Sequence, residues 1–125
     1  MRIDHINIAA PMDLLTKVRD FYCFALGLEE GPRPNFSFRG FWLYGEGKAI
    51  VHLVESNVHR APETPPHLDH VAFQMSDIAA YIERLDTLSV EYNTKYIPDF
   101  NISQVFCYDP CGNGVEGNFP GEILE

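Results

Sequence analysis

At 125 residues, 46% of them hydrophobic and 22% charged, the chain is sized and composed for one compact soluble domain, which excludes disordered and fibrous classes. Its formal net charge of -9 disfavours nucleic acid or an anionic membrane as partner, but leaves small ligands open, since one cation or a few local groups can reverse the field inside a pocket. No stretch approaches the roughly 18 apolar residues of a membrane span and Met1-Arg2-Ile3-Asp4-His5 carries no apolar leader, so a cytoplasmic protein is expected.

Arg2 to Ala9 alternates as a strand, with Ile6 and Ile8 on one face and Ile3, His5 and Asn7 on the other. Pro11 ends it. Asp13 is the expected cap of a helix running to about Leu26, with Leu14, Leu15, Val18, Phe21, Tyr22 and Ala25 as its stripe and Gly27 as its stop. Phe21, Tyr22 and Phe24 read as core. Leu28 to Pro34 is an edge strand by its prolines, and Phe38 to Tyr44 a second strand in which Trp42 and Tyr44 alternate with Phe41 and Leu43. Gly45-Glu46-Gly47-Lys48 turns into a strand over Ala49 to Glu55, placing Ile50, His52 and Val54 opposite Val51 and Leu53. Residues 57–67, with Pro62, Pro65 and Pro66, read as an exposed connector carrying His59 and His67.

The same order then recurs. Leu68-Asp69-His70-Val71-Ala72-Phe73-Gln74-Met75 repeats the character of Ile3-Asp4-His5-Ile6-Asn7-Ile8, Asp77 caps a helix over Ile78 to Leu88, and strands follow near Glu91 to Ile97, Ile102 to Tyr108 and Gly114 to Phe119. Spacing agrees as well, since 52 - 5 = 47 and 116 - 70 = 46 for His5 to His52 and His70 to Glu116. Asp109-Pro110-Cys111-Gly112-Asn113-Gly114 is a tight turn that delivers Glu116 onto a short strand, on the face opposite Val115, Gly117 and Phe119. The fold class expected is α+β, two tandem βαβββ modules (1–56 and 68–125) whose curved mixed sheets could bring four polar groups into one central cleft.

His5, His52, His70 and Glu116 form a mixed imidazole and carboxylate set suited to Fe, Ni, Mn or Zn as a divalent cofactor. Three ligands leave positions open for substrate, with His52 a fourth ligand or an acid/base. Cys23, Cys107 and Cys111 are an odd number without a CxxC pair, so reduced thiols are expected, with Cys107 and Cys111 as packing and turn residues. Asn7, Trp42, Tyr44, Gln74, Gln104 and Phe106 are the candidate walls of a small-molecule pocket.

These segments, from Asp4-His5-Ile6 through Leu26-Gly27-Leu28, Ile50-Val51-His52-Leu53 and Asp69-His70-Val71-Ala72-Phe73 to Asp109-Pro110, Gly112-Asn113 and Glu116, resemble the vicinal oxygen chelate superfamily (glyoxalase, bleomycin resistance, extradiol dioxygenase). The resemblance implies paired βαβββ modules and a divalent metal held by His5, His70 and Glu116. It also implies a lyase or isomerase type of enzyme that polarises a carbonyl or enolate, with Glu116 or His52 moving a proton. Fe(II) extradiol cleavage, with Phe106 where those enzymes carry a tyrosine, and drug or metabolite binding of the bleomycin-resistance type are the alternatives. A homodimer is expected, because incomplete curved sheets leave edges that a second copy can close.

Overall fold

The alternation read in the sequence becomes two copies of one strand-and-helix unit. The computed structural model describes residues 1–59 and 68–124, and the chain divides into units Met1–Ala61 and Pro62–Glu125. The expected connector, including His67, lies in large part outside the described residues. Among the described residues no helix is long and apolar enough to cross a membrane.

In the first unit, β1 (Ile6–Ala10) and α1 (Met12–Ala25) precede β2 (Glu29–Gly31), β3 (Gly40–Gly45) and β4 (Lys48–Glu55), and the strands assemble in the order β1-β4-β3-β2. β1 runs parallel to β4 and β2 forms the edge, as its prolines predict. Glu46 and Gly47 both adopt positive φ, 53° and 78°, the mirror-image turn whose twist matches the flanking strands. Ile8, Leu43, Val51 and Leu53 bury against Leu15, Val18, Phe21, Tyr22 and Ala25 of α1.

Two expectations are corrected in α1. Pro11, not Asp13, occupies the cap position, and among the described residues no side chain caps the helix. Asp13 instead sits in the first turn, where a carboxylate faces the positive end of the helix dipole. Phe24 is 45% exposed rather than core. At about 100° per residue it lies on the opposite side of the helix from Leu15 and Tyr22, so the buried stripe passes it by.

The second unit repeats the design with β5 (His70–Gln74), α2 (Ile78–Thr87), β6 (Asn93–Ile97), β7 (Ile102–Tyr108) and β8 (Gly114–Pro120), in the order β5-β8-β7-β6. Again the first and last strands are parallel partners. Asp77 caps α2 through the Ala80 N–H, as expected. Glu122 adds a second clasp, its carboxylate accepting the Asp77 and Ile78 N–H groups at 2.8 and 2.9 Å. Tyr81 packs on Phe119, with ring centroids 5.6 Å apart, and its hydroxyl lies 3.8 Å from Cys107 Sγ on the core face of β7.

Candidate functional site: two pairs on equivalent strands

The turn before Glu116 is built around a buried carboxylate. Asp109 Oδ1 accepts the N–H groups of Cys111 and Asn113, both at 2.9 Å, and Oδ2 accepts the Asn113 amide at 3.0 Å. Gly112 supplies the positive φ, 83°. Gly114 then lets β8 approach β5 closely, for a Cβ there would lie 2.3 Å from the Asp69 carbonyl oxygen and 2.8 Å from His70 Cβ. Register follows from that contact: Gly114 pairs with His70, so Glu116 pairs with Ala72.

Glu116 is buried on the face opposite Val115 and Phe119. Its Oε1 lies 3.2 Å from His70 Nε2, and its Oε2 accepts the Gln104 amide at 3.1 Å. His70 Nδ1 meets Asp69 Oδ2 at 2.8 Å, which fixes the ring and leaves Nε2 to face Glu116. Phe106 stands edge-on to His70, with centroids 5.5 Å apart. A cavity of about 800 Å³ opens beside His70, Phe106, Tyr92 and Tyr108.

The first unit repeats the aspartate contact, with His5 Nδ1 2.8 Å from Asp4 Oδ2. Lys48 Nζ is 3.1 Å from the other oxygen of Asp4, and His5 and then Lys48 hold that carboxyl below the usual carboxylate range. His52, however, meets His5 face to face. The rings stack at 3.9 Å and 11°, and Trp42 stacks on the other side of His52 at 4.0 Å and 13°. His52 Nε2 lies 3.1 Å from the Ala49 carbonyl, a contact in which the ring nitrogen donates, so Nδ1 is left as the accepting atom. Burial first, and the charge of His5 second, lower the His52 pKa.

Whether these groups fit a divalent ion is a question of donor separation. With bonds of about 2.0–2.2 Å meeting at about 90–109°, two donors on one ion lie roughly 2.8–3.6 Å apart. The 3.2 Å between His70 Nε2 and Glu116 Oε1 falls inside that range. The other pair does not fit. An imidazole binds a metal along a nitrogen lone pair, in the plane of the ring. Two rings 3.9 Å apart and nearly parallel have no common in-plane point, so His5 and His52 as placed cannot share one ion. Within either unit, no three described His, Cys, Asp or Glu side chains gather around one point.

Of the expected pocket walls, Asn7 and Trp42 line a cavity with His52, Gln104 bonds Glu116, and Gln74 lies on the His70 face of β5. Tyr44 lies apart from Trp42. The strand register shifts between Leu43 and Tyr44, and Tyr44 donates its hydroxyl to the Pro32 carbonyl, packing over Gly31. His59 is exposed and contacts Ser56. Two polar residues that the sequence reading gave no site role, Asn118 and Arg33, each have a buried atom that lacks a partner among the described residues. The alternation of β8 sets Asn118 two residues beyond Glu116 on the same face, which is the signal that marks it as a site candidate.

Residues 2–116 match the model of the Glyoxalase/Bleomycin resistance protein/Dioxygenase superfamily. The chain belongs to that superfamily. A glyoxalase family protein from Bacillus anthracis is similar at 25% identity and a TM-score of 0.75, over 96% of this chain and 95% of that one. Lactoylglutathione lyase from Agrobacterium tumefaciens (21%, 0.66, 94% and 92%) and the fosfomycin resistance protein FosX from Listeria monocytogenes with Mn(II) and sulfate (19%, 0.70, 98% and 93%) share the fold. No curated protein matches the sequence. The superfamily contains metal-dependent lyases, fosfomycin-resistance enzymes and dioxygenases, and the tandem α+β modules expected from the sequence are the fold found.

Proposed function

We propose that the chain is a divalent-metal enzyme that moves a proton beside a carbonyl of a small oxygenated metabolite. His70, Glu116 and His5 serve as its metal ligands. The observation that carries this reading is the 3.2 Å separation of His70 Nε2 from a buried Glu116 oxygen, with Asp69 occupying the other His70 nitrogen. When bound, the ion supplies Lewis-acid stabilisation of a developing oxyanion, worth several kcal/mol.

The protein's own groups do the rest. Asp4 and Asp69 hold the two imidazoles in the tautomer that presents Nε2. Gln104 binds the second oxygen of Glu116 and fixes the carboxylate. His52 is the proton acceptor in this reading, because the Ala49 carbonyl engages Nε2 and leaves Nδ1 as the accepting atom, while burial favours the uncharged ring. FosX, a protein of this fold, is complexed with Mn(II), which supports manganese among Fe, Ni, Mn and Zn.

The test is a metal titration of wild-type and His70→Ala protein together with solvent-deuterium exchange into candidate carbonyl compounds. Metal binding lost in the variant, and exchange without oxygen uptake by wild type, are the expected results. Oxygen consumption with Fe(II) and a catechol would replace this reading by ring cleavage, and refusal of Fe, Ni, Mn and Zn alike would replace it by a binding module. The chain is further proposed to be a homodimer, to be checked by its sedimentation mass. Metal binding regained on mixing His5→Ala with His70→Ala protein would show that one ion draws on two copies.

A further inference from the structure

The first unit holds a cation that the metal reading does not use. Arg33 sits between Pro32 and Pro34, whose rings fix the backbone, and the Tyr44 hydroxyl pins the Pro32 carbonyl to β3. Its guanidinium carbon lies 5.0 Å from the Phe36 ring and 5.4 Å from the Phe38 ring, while Nη1 donates to the Phe38 carbonyl at 3.3 Å. Arg19, Arg39 and Lys48 each pair with a carboxylate; among the described residues Arg33 pairs with none, and its Nε is buried without a partner. In a chain of net charge -9, a half-buried guanidinium lacking a counter-ion is unusual.

Arg33 lines a cavity of about 220 Å³ together with Asn7, Phe36, Phe38, Trp42 and His52. That volume is below the roughly 300 Å³ from which drug-sized pockets begin, so the cavity suits a small fragment. Flat rings form much of its wall, with Leu53 and Val54 completing it. Phe36 and Phe38 stack at 4.8 Å, and Trp42 lies flat against His52. A planar ligand bearing an anion meets both features at once, as rings cover its faces while the guanidinium forms charge-assisted bonds to its carboxylate.

We propose that this cavity is a subsite for the carboxylate of a small planar substrate, aromatic or conjugated, with Arg33 as the anion partner and Asn7 as an adjoining polar contact. The assignment names a substrate class for the function proposed above and rests on that reading for the reaction, though not for binding. Arg33 is then a specificity residue next to the proton acceptor His52.

The chain has a single tryptophan, and it lines the cavity, so Trp42 fluorescence reports occupancy directly. Metal-free protein is titrated with benzoate and with benzamide, its neutral isostere. Benzoate should change the fluorescence saturably and bind at least about tenfold more tightly, the discrimination that one charge-assisted contact provides. Arg33→Met, which keeps the apolar stem, should bring benzoate down to the benzamide level and leave benzamide unchanged. Equal affinities in wild type, a preference that survives in Arg33→Met, or no response to either compound would overturn the assignment. Should the variant fail to fold, the wild-type comparison still decides. Because no metal is present, failure here leaves the metal reading standing, and failure of a metal titration leaves this one standing.

Discussion

Replacing Asp69 by Asn separates an orienting role from a structural one. Asp69 Oδ2 lies 2.8 Å from His70 Nδ1, yet the Asp69 side chain is 93% exposed. An exposed side chain away from packing and caps changes stability by no more than about 0.5 kcal/mol when replaced. Carboxylates behind a metal-bound histidine contribute about 10–100-fold in metal affinity by fixing its tautomer. Solvent screening places Asp69 at the low end, so Asp69→Asn should weaken divalent-metal binding about tenfold, or about 1.4 kcal/mol, without moving the metal-free unfolding midpoint. Calorimetric titration with Mn(II) and Zn(II), paired with urea melts of metal-free protein, reads both quantities. Wild-type affinity in the variant would remove Asp69 from any orienting role, and a comparable loss of metal-free stability would make its role structural. Asp4→Asn applies the same logic to His5, with the added release of Lys48. If its metal affinity is unchanged, Asp4 has no orienting role toward His5.

Gly114→Ala should cost about 1–3 kcal/mol in urea unfolding, because its Cβ would fall 2.3 Å from a backbone oxygen of the neighbouring strand; an unchanged midpoint would show that β5 and β8 can part freely. Glu122→Ala leaves two N–H groups at the start of α2 without their carboxylate and should cost about 0.5–2 kcal/mol, whereas equal stability would mean that Asp77 alone suffices as a cap. Burial, with Asp109 nearby, pushes the Cys111 thiol up to about 11. Its alkylation by iodoacetamide should therefore rise about tenfold per pH unit past the roughly 8.5 at which a free cysteine levels off, and a plateau below pH 9 would contradict that environment.

What could be read from the sequence was whatever rests on local periodicity. The alternation of Ile6, Ile8 and of Val115, Phe119, the glycines at turns and the recurring Asp-His dipeptides produced the two βαβββ units, because strand facing is set by a period of two and survives any tertiary context. The placement of Glu116 opposite Phe119 followed in the same way. Properties set by long-range contact were not legible. Phe24 is apolar and near helical spacing, yet exposed because the sheet meets the other side of α1. The shift after Leu43 that turns Tyr44 toward Pro32 is a property of strand pairing. Arg33 was not legible as a site residue because its aromatic neighbours, though close in sequence, become its walls only once the loop folds over Trp42.

The duplicated frame shows where the two halves diverged. Asn7 pairs with His52 as Ala72 pairs with Glu116, and Trp42 faces His52 across β3 and β4 as Phe106 faces Glu116 across β7 and β8. His5 and His70, each held by the aspartate before it, are therefore equivalent, and so are His52 and Glu116. In one copy the last-strand residue is an imidazole, and three flat rings pile into a stack that presents faces rather than lone pairs. In the other it is a carboxylate, whose oxygen meets an imidazole nitrogen at a separation one ion can bridge. The same backbone thus sets three rings face to face in one unit and an imidazole edge-on to a carboxylate oxygen in the other, so a single exchange of side chain on the last strand decides which arrangement forms.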